Sequence, residues 1–455
     1  MLLSDVGKML NVTCTGDCEF DGFAIDSRAV KKGNMFVCLP GARVDGHDFA
    51  AKAEANGAAC FLCERPLDTS LPCCIVPDSL KGLQGLGKAY RLALGVKVVA
   101  VTGSVGKTTT KEYISSVLSR KYRTHKTEGN KNSETGVPLT LLAVRPEDEV
   151  VVTEMGMSAK GEISVLTNIA CPDIAVITNI GVSHIEHLGS QENIMLAKLE
   201  ILEGLSENGT LILNYDDEYL RHAYNDLLLG KIPQKIIRYG INNPDCDIIA
   251  SEIAMEDNSL RFCVKTPEGD ITVIIPCEGV HNVYNSLAAI SVGLCIGVPL
   301  SDIVAGLAEF TGVPMRQQTY SRDGLNIIED CYNASPSSMK AGLDVLRRKN
   351  GRKIAVLGDM LELGDFSDEM HRKVGEMLTD IDALVAFGHF NDSYIAGAKN
   401  AGVAPENCYS CENNEEAAVI LSKIAKDGDY ILIKASRGMS GEKIAEKLFE
   451  IKEQK

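Results

Sequence analysis

The sharpest chemical signal in this 455-residue chain is Thr102-Gly103-Ser104-Val105-Gly106-Lys107-Thr108-Thr109. It follows the apolar run VKVVAV and precedes Tyr113, Ile114, Val117 and Leu118, which share one helical face. Strand, glycine loop and helix in that order let backbone N–H groups and a helix N-terminus close around phosphate oxygens. Lys107 then reaches the β- and γ-phosphates, and Thr108 can ligate Mg²⁺. The strict pattern begins with a glycine where this chain has Val101, so the loop is a shortened variant. An ordinary strand-to-helix turn with an exposed lysine explains Gly-x-x-Gly-Lys-Thr in this context poorly. Nucleotide phosphate binding is the stronger reading.

Two further apolar runs end in polar groups. EVVVTEM delivers Glu154, and DIAVITNI leads to Asn179 and then to Gly181-Val182-Ser183-His184. Ligands of open parallel sheets collect at the carboxyl ends of the strands, which predicts that Glu154 and His184 face the phosphate loop, where they could flank a metal. Alone, each would more often be a solvated carboxylate or a structural histidine. In Ile194-Met195-Leu196-Ala197-Lys198-Leu199-Glu200-Ile201-Leu202-Glu203-Gly204-Leu205, a helical period places Ile194, Lys198, Ile201, Leu202 and Leu205 on one apolar face, with Glu200 and Glu203 off its centre. An ammonium in mid-stripe must find a carboxylate, lose its proton or be modified. The bland alternative is a lysine snorkelling from the stripe's edge.

The elements that position these groups follow from the rhythm of apolar runs. Residues 1–95 mix short strand-like runs (MFVCLP, AACFLC, CCIV) with polar turns and end in a helical stretch, which predicts a small α/β domain. From 96 to 312, VKVVAV, EVVVTEM, DIAVITNI and GTLILN alternate with helical patterns, which predicts a central P-loop domain on a parallel sheet. Thr311 to Pro314 then precedes LNIIED, KIAVLG, DALVAFG and DYILIK, which predict a Rossmann-like C-terminal domain over 313–455. The expected fold is therefore α/β in three domains.

Composition narrows the class. Lys+Arg number 46 against 62 Asp+Glu, a net charge of -16, which argues against sequence-independent nucleic-acid binding. The opening MLLSDVGKML lacks a secretory pattern, and no run reaches membrane-spanning length, so a soluble protein without membrane insertion is expected. Fifteen cysteines fall singly or within strand-like runs. Reduced thiols fit better than a zinc site at Cys60, Cys63, Cys73 and Cys74, where GAACFLCER reads as a buried strand.

The ordered set TGSVGKTTTKE, GNKNSETGVPLTLL, TEMGMSAKGEIS, NIGVSHIEHLGS, AKLEILEGL, HNVYNSLAA, EDCYNASPSSMKAGL, VLGDMLELG and IKASRG resembles the muramyl ligases across nearly the whole chain. The likeness is strongest to the branch that adds a dipeptide. It implies a cytoplasmic, ATP-dependent amide ligase of cell-wall precursor synthesis, expected as a monomer. Its partners would be UDP-N-acetylmuramoyl-tripeptide and D-alanyl-D-alanine, joined through an acyl phosphate, with ATP and two Mg²⁺ ions.

By the same resemblance Lys198 is carbamylated and a magnesium ligand, with Thr108 and Glu154, and His184 lies near the second ion. Lys107, Glu154, His184 and Lys198 form the catalytic set. Asn282 and Asn285 fall beside the ATP base, and Arg316 and Asp330 at the nucleotide site's junction with the C-terminal domain. Ser27, Arg28, Gly46 and His47 belong to the UDP-sugar region, and Asn132, Tyr332, Asn333, Ser436 and Arg437 to the substrate side. The chain departs from the family's Tyr-Asn-Ala-Asn and Lys-Gly-Ser-Arg at Ser335 and Ala435, which puts the dipeptide contacts in question. The competing readings are a sister ligase adding a single amino acid, of muramyl or folylpolyglutamate type, and a P-loop ATPase switch.

Overall fold

The computed structural model describes residues 1–256 and 259–453; the last two residues of the expected C-terminal domain lie outside the described residues. Three separate sheets carry the chain. The first is four-stranded and parallel, in the order β1 (Phe23–Ala24), β2 (Met35–Val37), β3 (Cys60–Cys63), β4 (Cys73–Ile75). Cys60, Cys63 and Cys74 are fully buried there and pack as small apolar side chains, all as free thiols. Burial pushes the Cys38 and Cys74 thiols up to about 12, which keeps them protonated and inert.

The helix Ser79–Leu94 leads out of this sheet. The Asp78 carboxylate accepts from the Lys81 N–H at its start, and Gly95 ends it at φ 64°. Its last turns dock on the next unit: Arg91 donates to Asp173 at 3.0 Å, and the Tyr90 hydroxyl to the Val144 carbonyl at 2.9 Å.

The second sheet has nine strands: β5 (Lys97–Thr102), β6 (Thr124–Lys126), β7 (Val150–Glu154), β8 (Ile174–Ile177), β9 (Thr210–Asn214), β10 (Lys235–Gly240), β11 (Ile248–Glu256), β12 (Ser259–Thr266) and β13 (Gly269–Ile275). Their order is β13-β12-β11-β10-β9-β8-β5-β7-β6. Val, Ile and Leu dominate the inner strands because helices cover both faces. The expected parallel sheet is present from β6 to β11, but β11, β12 and β13 add antiparallel pairs. β12 is buried only at alternate residues, the signature of a strand with one covered face. Register then sets the site: Val101 pairs with Glu154 and Thr102 with Ile177, so three strands end side by side.

The third sheet runs β14 (Gln318–Arg322), β15 (Leu325–Asp330), β19 (Tyr430–Lys434), β16 (Lys353–Gly358), β17 (Ala383–Phe387), β18 (Cys408–Cys411), parallel except for the β14 edge. This is the Rossmann-like unit that the alternating pattern predicted. Among the described residues no helix is long and apolar enough to cross a membrane.

Candidate active site

The phosphate loop is held from behind by protein atoms. Asn179 accepts from the Val105 N–H at 3.0 Å and donates to the Val105 carbonyl at 2.9 Å, while the Ser104 hydroxyl accepts from the Gly181 N–H at 2.8 Å. Gly103 has φ 148°, and a Cβ there would meet the Thr178 hydroxyl at 1.9 Å, so the close approach admits glycine alone. Gly106, at φ 86°, opens the helix Lys107–Leu118. Lys107 folds back onto the Gly103 carbonyl at 2.8 Å. Burial pushes its ammonium down; the nearby Glu154 carboxylate opposes that push and Arg316 adds to it.

Glu154 is buried beside the loop. One oxygen accepts from Asn132 Nδ2 at 2.8 Å, and the other is buried with no hydrogen-bond partner. A buried carboxylate oxygen left unpaired is costly unless it serves a ligand. Thr108 is buried, and its hydroxyl accepts from Arg316 at 2.9 Å. Lys198 is 1% exposed, and its side chain makes no hydrogen bond or ion pair among the described residues. Burial pushes its ammonium well down, and Lys107 pushes it further. Of the expected stripe, Ile194, Ile201 and Leu205 are buried with it and Leu202 is half-buried.

Glu200 points off that stripe but not into solvent. The chain tightens to a 3-10 turn at Glu200–Glu203, and the Glu200 carboxylate accepts from the Gly161 N–H at 2.8 Å and the Ser164 N–H at 3.2 Å, capping the helix Glu162–Ala170. The orphaned Glu154 oxygen suits a divalent cation; the Thr108 hydroxyl would join it only with the Arg316 guanidinium displaced, and Lys198 only as a neutral or modified group. No three His, Cys, Asp or Glu side chains converge on one point among the described residues, so an ion here would need ligand oxygens to complete its shell.

A cleft of about 1640 Å³ lies between the second and third sheets. Its walls bring together the loop residues Ser104 to Lys107 and Thr109 with Asn132, Glu154, His184, Asn282, Asn285, Arg316, Asp330, Tyr332 and Asn333. Asn285 accepts from the Thr110 hydroxyl at 3.0 Å and donates to Asn282 at 3.2 Å, which ties the helix His281–Ile296 to the phosphate-loop helix. The Arg316 guanidinium stacks on the Tyr332 ring at 4.2 Å.

Other expected residues do not line the cleft: Thr102, Gly103, Thr108 and Lys198 in the second sheet's unit, and Ser436 and Arg437 in the third's, with Arg437 paired to Glu442 at 2.8 Å. Ser27, Arg28, Gly46 and His47 belong to the first sheet's unit and do not line the cleft. Arg28 pairs with Asp26 at 2.7 Å. Gly46 sits where a Cβ would meet the Leu39 backbone N at 2.6 Å. His47 uses both ring nitrogens locally: Nδ1 lies 2.6 Å from Asp45, and Nε2 accepts from the Glu64 N–H at 2.9 Å.

Sequence reasoning missed four groups at the junction of the second and third sheets: Lys434 and Glu362 from the third, His281 and Glu278 from the second. Lys434, 1% exposed, donates to Asp330 at 2.7 Å and to the Asn333 carbonyl at 3.1 Å. His281 is pushed down to about 4 by burial. Glu278 pairs with Lys349 across the two sheets. His184 Nδ1 lies 2.6 Å from Glu362 Oε2, off hydrogen-bond alignment. IKASRG, VLGDMLELG and HNVYNSLAA held Lys434, Glu362 and His281 without marking them as site residues.

The two departures find their reasons. Ser335 caps the helix Pro336–Arg347 in a reciprocal box with Ser338. Ala435 is fully buried and absent from the positive-φ residues; its methyl fits because Gly358 and Gly441 on either side carry no Cβ.

A phosphate loop facing an orphaned carboxylate, inside a cleft whose far wall is a second α/β unit, describes a nucleotide-dependent ligase, and the chain belongs to the Mur ligase family. Family models match as "Mur ligase family, catalytic domain" at residues 19–83, "Mur ligase middle domain" at 101–293 and "Mur ligase, glutamate ligase domain" at 315–437. The UDP-N-acetylmuramoyl-tripeptide–D-alanyl-D-alanine ligase of Bacillus subtilis is 40% identical over 437 residues, covering 94% of this chain and 93% of the relative. That of Escherichia coli is 37% identical, covering 85% of each. Among solved structures, MurF from Acinetobacter baumannii matches with TM-score 0.89 at 32% identity over 98% of both chains. MurF ligase from Thermotoga maritima, in complex with ADP, matches with TM-score 0.82 at 31% identity, covering 95% of this chain and 98% of that one.

Proposed function

We propose that this enzyme joins D-alanyl-D-alanine to UDP-N-acetylmuramoyl-tripeptide at the expense of ATP, in the cytoplasm, during peptidoglycan precursor synthesis. The observation that carries the reading is the braced phosphate loop opposite the unpaired Glu154 oxygen, in a cleft closed by Arg316, Asp330 and Tyr332 from the far side. Residues 1–95 would take the UDP-sugar, 96–312 the ATP, and 313–455 the incoming dipeptide. Ser27, Arg28, Gly46 and His47 are proposed for the first role, Asn282, Asn285, Arg316 and Asp330 for the second, and Tyr332, Asn333, Ser436 and Arg437 for the third.

The terminal carboxylate of the tripeptide attacks the γ-phosphorus, and the bond to ADP breaks. The dipeptide amine then attacks the acyl carbon, and phosphate leaves as the amide forms. Loop N–H groups and Lys107 hold the phosphates against an approaching carboxylate of like charge. Asn132 holds Glu154 in place. In its neutral form, which burial favours, the Lys198 amine can add carbon dioxide and shed a proton, leaving a carbamate anion where a buried cation would be costly. Thr108, Glu154, His184 and that carbamate would hold up to two Mg²⁺ ions, which when bound offset the charge on the reacting oxygens. The third sheet's wall excludes water from the activated acid between the two steps.

The test is phosphate release from ATP and Mg²⁺ with UDP-N-acetylmuramoyl-tripeptide, comparing the dipeptide with single amino acids as acceptors and weighing the product. Dipeptide-dependent release and a product heavier by the dipeptide less water are expected. Turnover with a single amino acid would move the chain to a sister ligase; acceptor-independent hydrolysis without an amide would make it a switch.

A further inference from the structure

VLGDMLELG is the one quoted motif that the proposed chemistry leaves without a task. It begins on β16, whose Leu357 pairs with Lys434 of β19, so the segment from Gly358 to Gly364 leaves the third sheet at its cleft end. From there it lies against the His184 turn of the second sheet. A Cβ on Gly364 would meet Glu186 Cγ at 2.9 Å, and Met360 and Leu363 share an apolar cluster with Ile185 and Leu188.

The first half of this segment, Asp359 to Leu361, is braced by its own domain. The Asp359 carboxylate accepts from the N–H groups of His389 at 2.9 Å and Phe390 at 3.1 Å. The Met360 N–H donates to His371 Nε2 at 2.9 Å, and the Leu361 N–H to the Ser436 hydroxyl at 2.9 Å. Ser436 returns its own N–H to the Asp359 carbonyl at 3.1 Å. What this scaffold presents is Glu362, held at φ 65°, against His184, held at φ 66°. A left-handed non-glycine residue costs on the order of 1–3 kcal/mol and persists only where its surroundings impose it. Two such residues meet here at 2.6 Å across the two sheets.

We propose that Glu362 is a positioning residue that grips His184 and so sets the third sheet's wall in register over the phosphate site for amide formation. This rests on the ligase reading above. Glu362 does not touch the reacting atoms; it acts through His184. The second half of the reaction needs the acceptor amine placed against an acyl phosphate before water arrives, and that placement depends on how the two walls meet. Ser436, assigned above to the acceptor side, supports the same turn through Leu361. The chain Ser436, Leu361, Glu362, His184 therefore connects the acceptor side to the phosphate side by direct contacts. A chain of contacts becomes a coupling only when its removal changes the coupled quantity.

The test compares the full-length enzyme with Glu362→Gln and Glu362→Ala, measuring amide formed per phosphate released with all three substrates present. In the intact enzyme the ratio is expected near unity. In the variants it should fall about threefold or more, with phosphate lost to water, while KM for the UDP-sugar peptide stays within about twofold. A role in folding alone would lower both products together and leave the ratio untouched.

Hydrogen exchange supplies a readout independent of turnover: amides of residues 182–189 should exchange about threefold faster in Glu362→Ala, with β5 unchanged. An alanine variant with the intact enzyme's ratio and exchange would overturn the proposal. So would exchange that rises equally over β5. If the intact enzyme formed no dipeptide-dependent amide, the ligase reading would fail, and exchange at 182–189 would still decide whether Glu362 holds His184.

Discussion

Lys198 behind the phosphate loop and Lys434 on β19 are each 1% exposed, in different units of the molecule. Lys434 donates to the Asp330 carboxylate and the Asn333 carbonyl, so its charge is matched where it lies. Lys198 has neither kind of partner among the described residues, and a second cation, Lys107, adds to the pressure against its proton. Depth of burial is the same; the counter-charge differs. The first arrangement fixes a strand end next to a loop, and the second weakens an amine's hold on its proton.

The largest effect should come from breaking the unpaired side. Lys198→Met should lower turnover by about a thousandfold, measured as phosphate release, with no loss of melting temperature, because an apolar side chain suits that pocket. Isotope-labelled bicarbonate should give a carbamate resonance in the intact enzyme and none in the variant; its absence in both would leave Lys198 as a bare amine.

Breaking the paired side should read out as stability first. Asp330→Ala leaves the Lys434 ammonium buried and unmatched, a loss of about 3–5 kcal/mol in urea unfolding. Adding Lys434→Met to it should recover part of that loss, and a double variant no more stable than Asp330→Ala would mean the pair is not the unit it resembles.

A third test uses pH. His281 sits near both members of the pair; burial holds it down to about 4 from 6.5, Asp330 opposing that shift and Lys434 adding to it. Between those values the unfolded chain binds a proton that the folded one does not, so stability present above 6.5 is lost as pH falls toward about 4. Lys434→Met should shallow that slope, and an unchanged slope would place the proton elsewhere. Lys198 has the same sign in an alkaline window: its depressed ammonium makes stability rise with pH up to the ordinary lysine value of about 10.4.

The smallest effect expected is at Glu200→Gln, where losing the charged cap on the helix Glu162–Ala170 should cost about 1 kcal/mol without altering turnover per folded molecule.

The same contrast marks what could be read from residues alone. The phosphate loop was legible because its parts are consecutive, and Lys198 because a cation breaks an apolar stripe. The parallel strands announced themselves as runs of Val and Ile. β11 to β13 did not, since strands with one wet face alternate too weakly to stand out beside such runs. Glu200 was seen to leave the stripe, but its burial depended on a 3-10 turn and on a helix start 39 residues earlier. Lys434 on Asp330 spans 104 positions and is set by the register of β15 against β19, whereas Arg316 on Thr108 spans 208 and is set by how the second and third sheets face each other. The reach of Glu362 to His184 is of this kind, visible beforehand only as a motif without a purpose.

The bracing of the phosphate loop by Thr178, Asn179 and Ser104 has a kinetic corollary. A loop shaped by its own protein neighbours has little conformational entropy left to lose when a triphosphate arrives, so encounter rather than loop ordering governs the capture rate. Loosening the bracket, as Asn179→Ala would, should slow capture and speed escape together, whereas trimming a side chain that only touches the nucleotide should change escape alone.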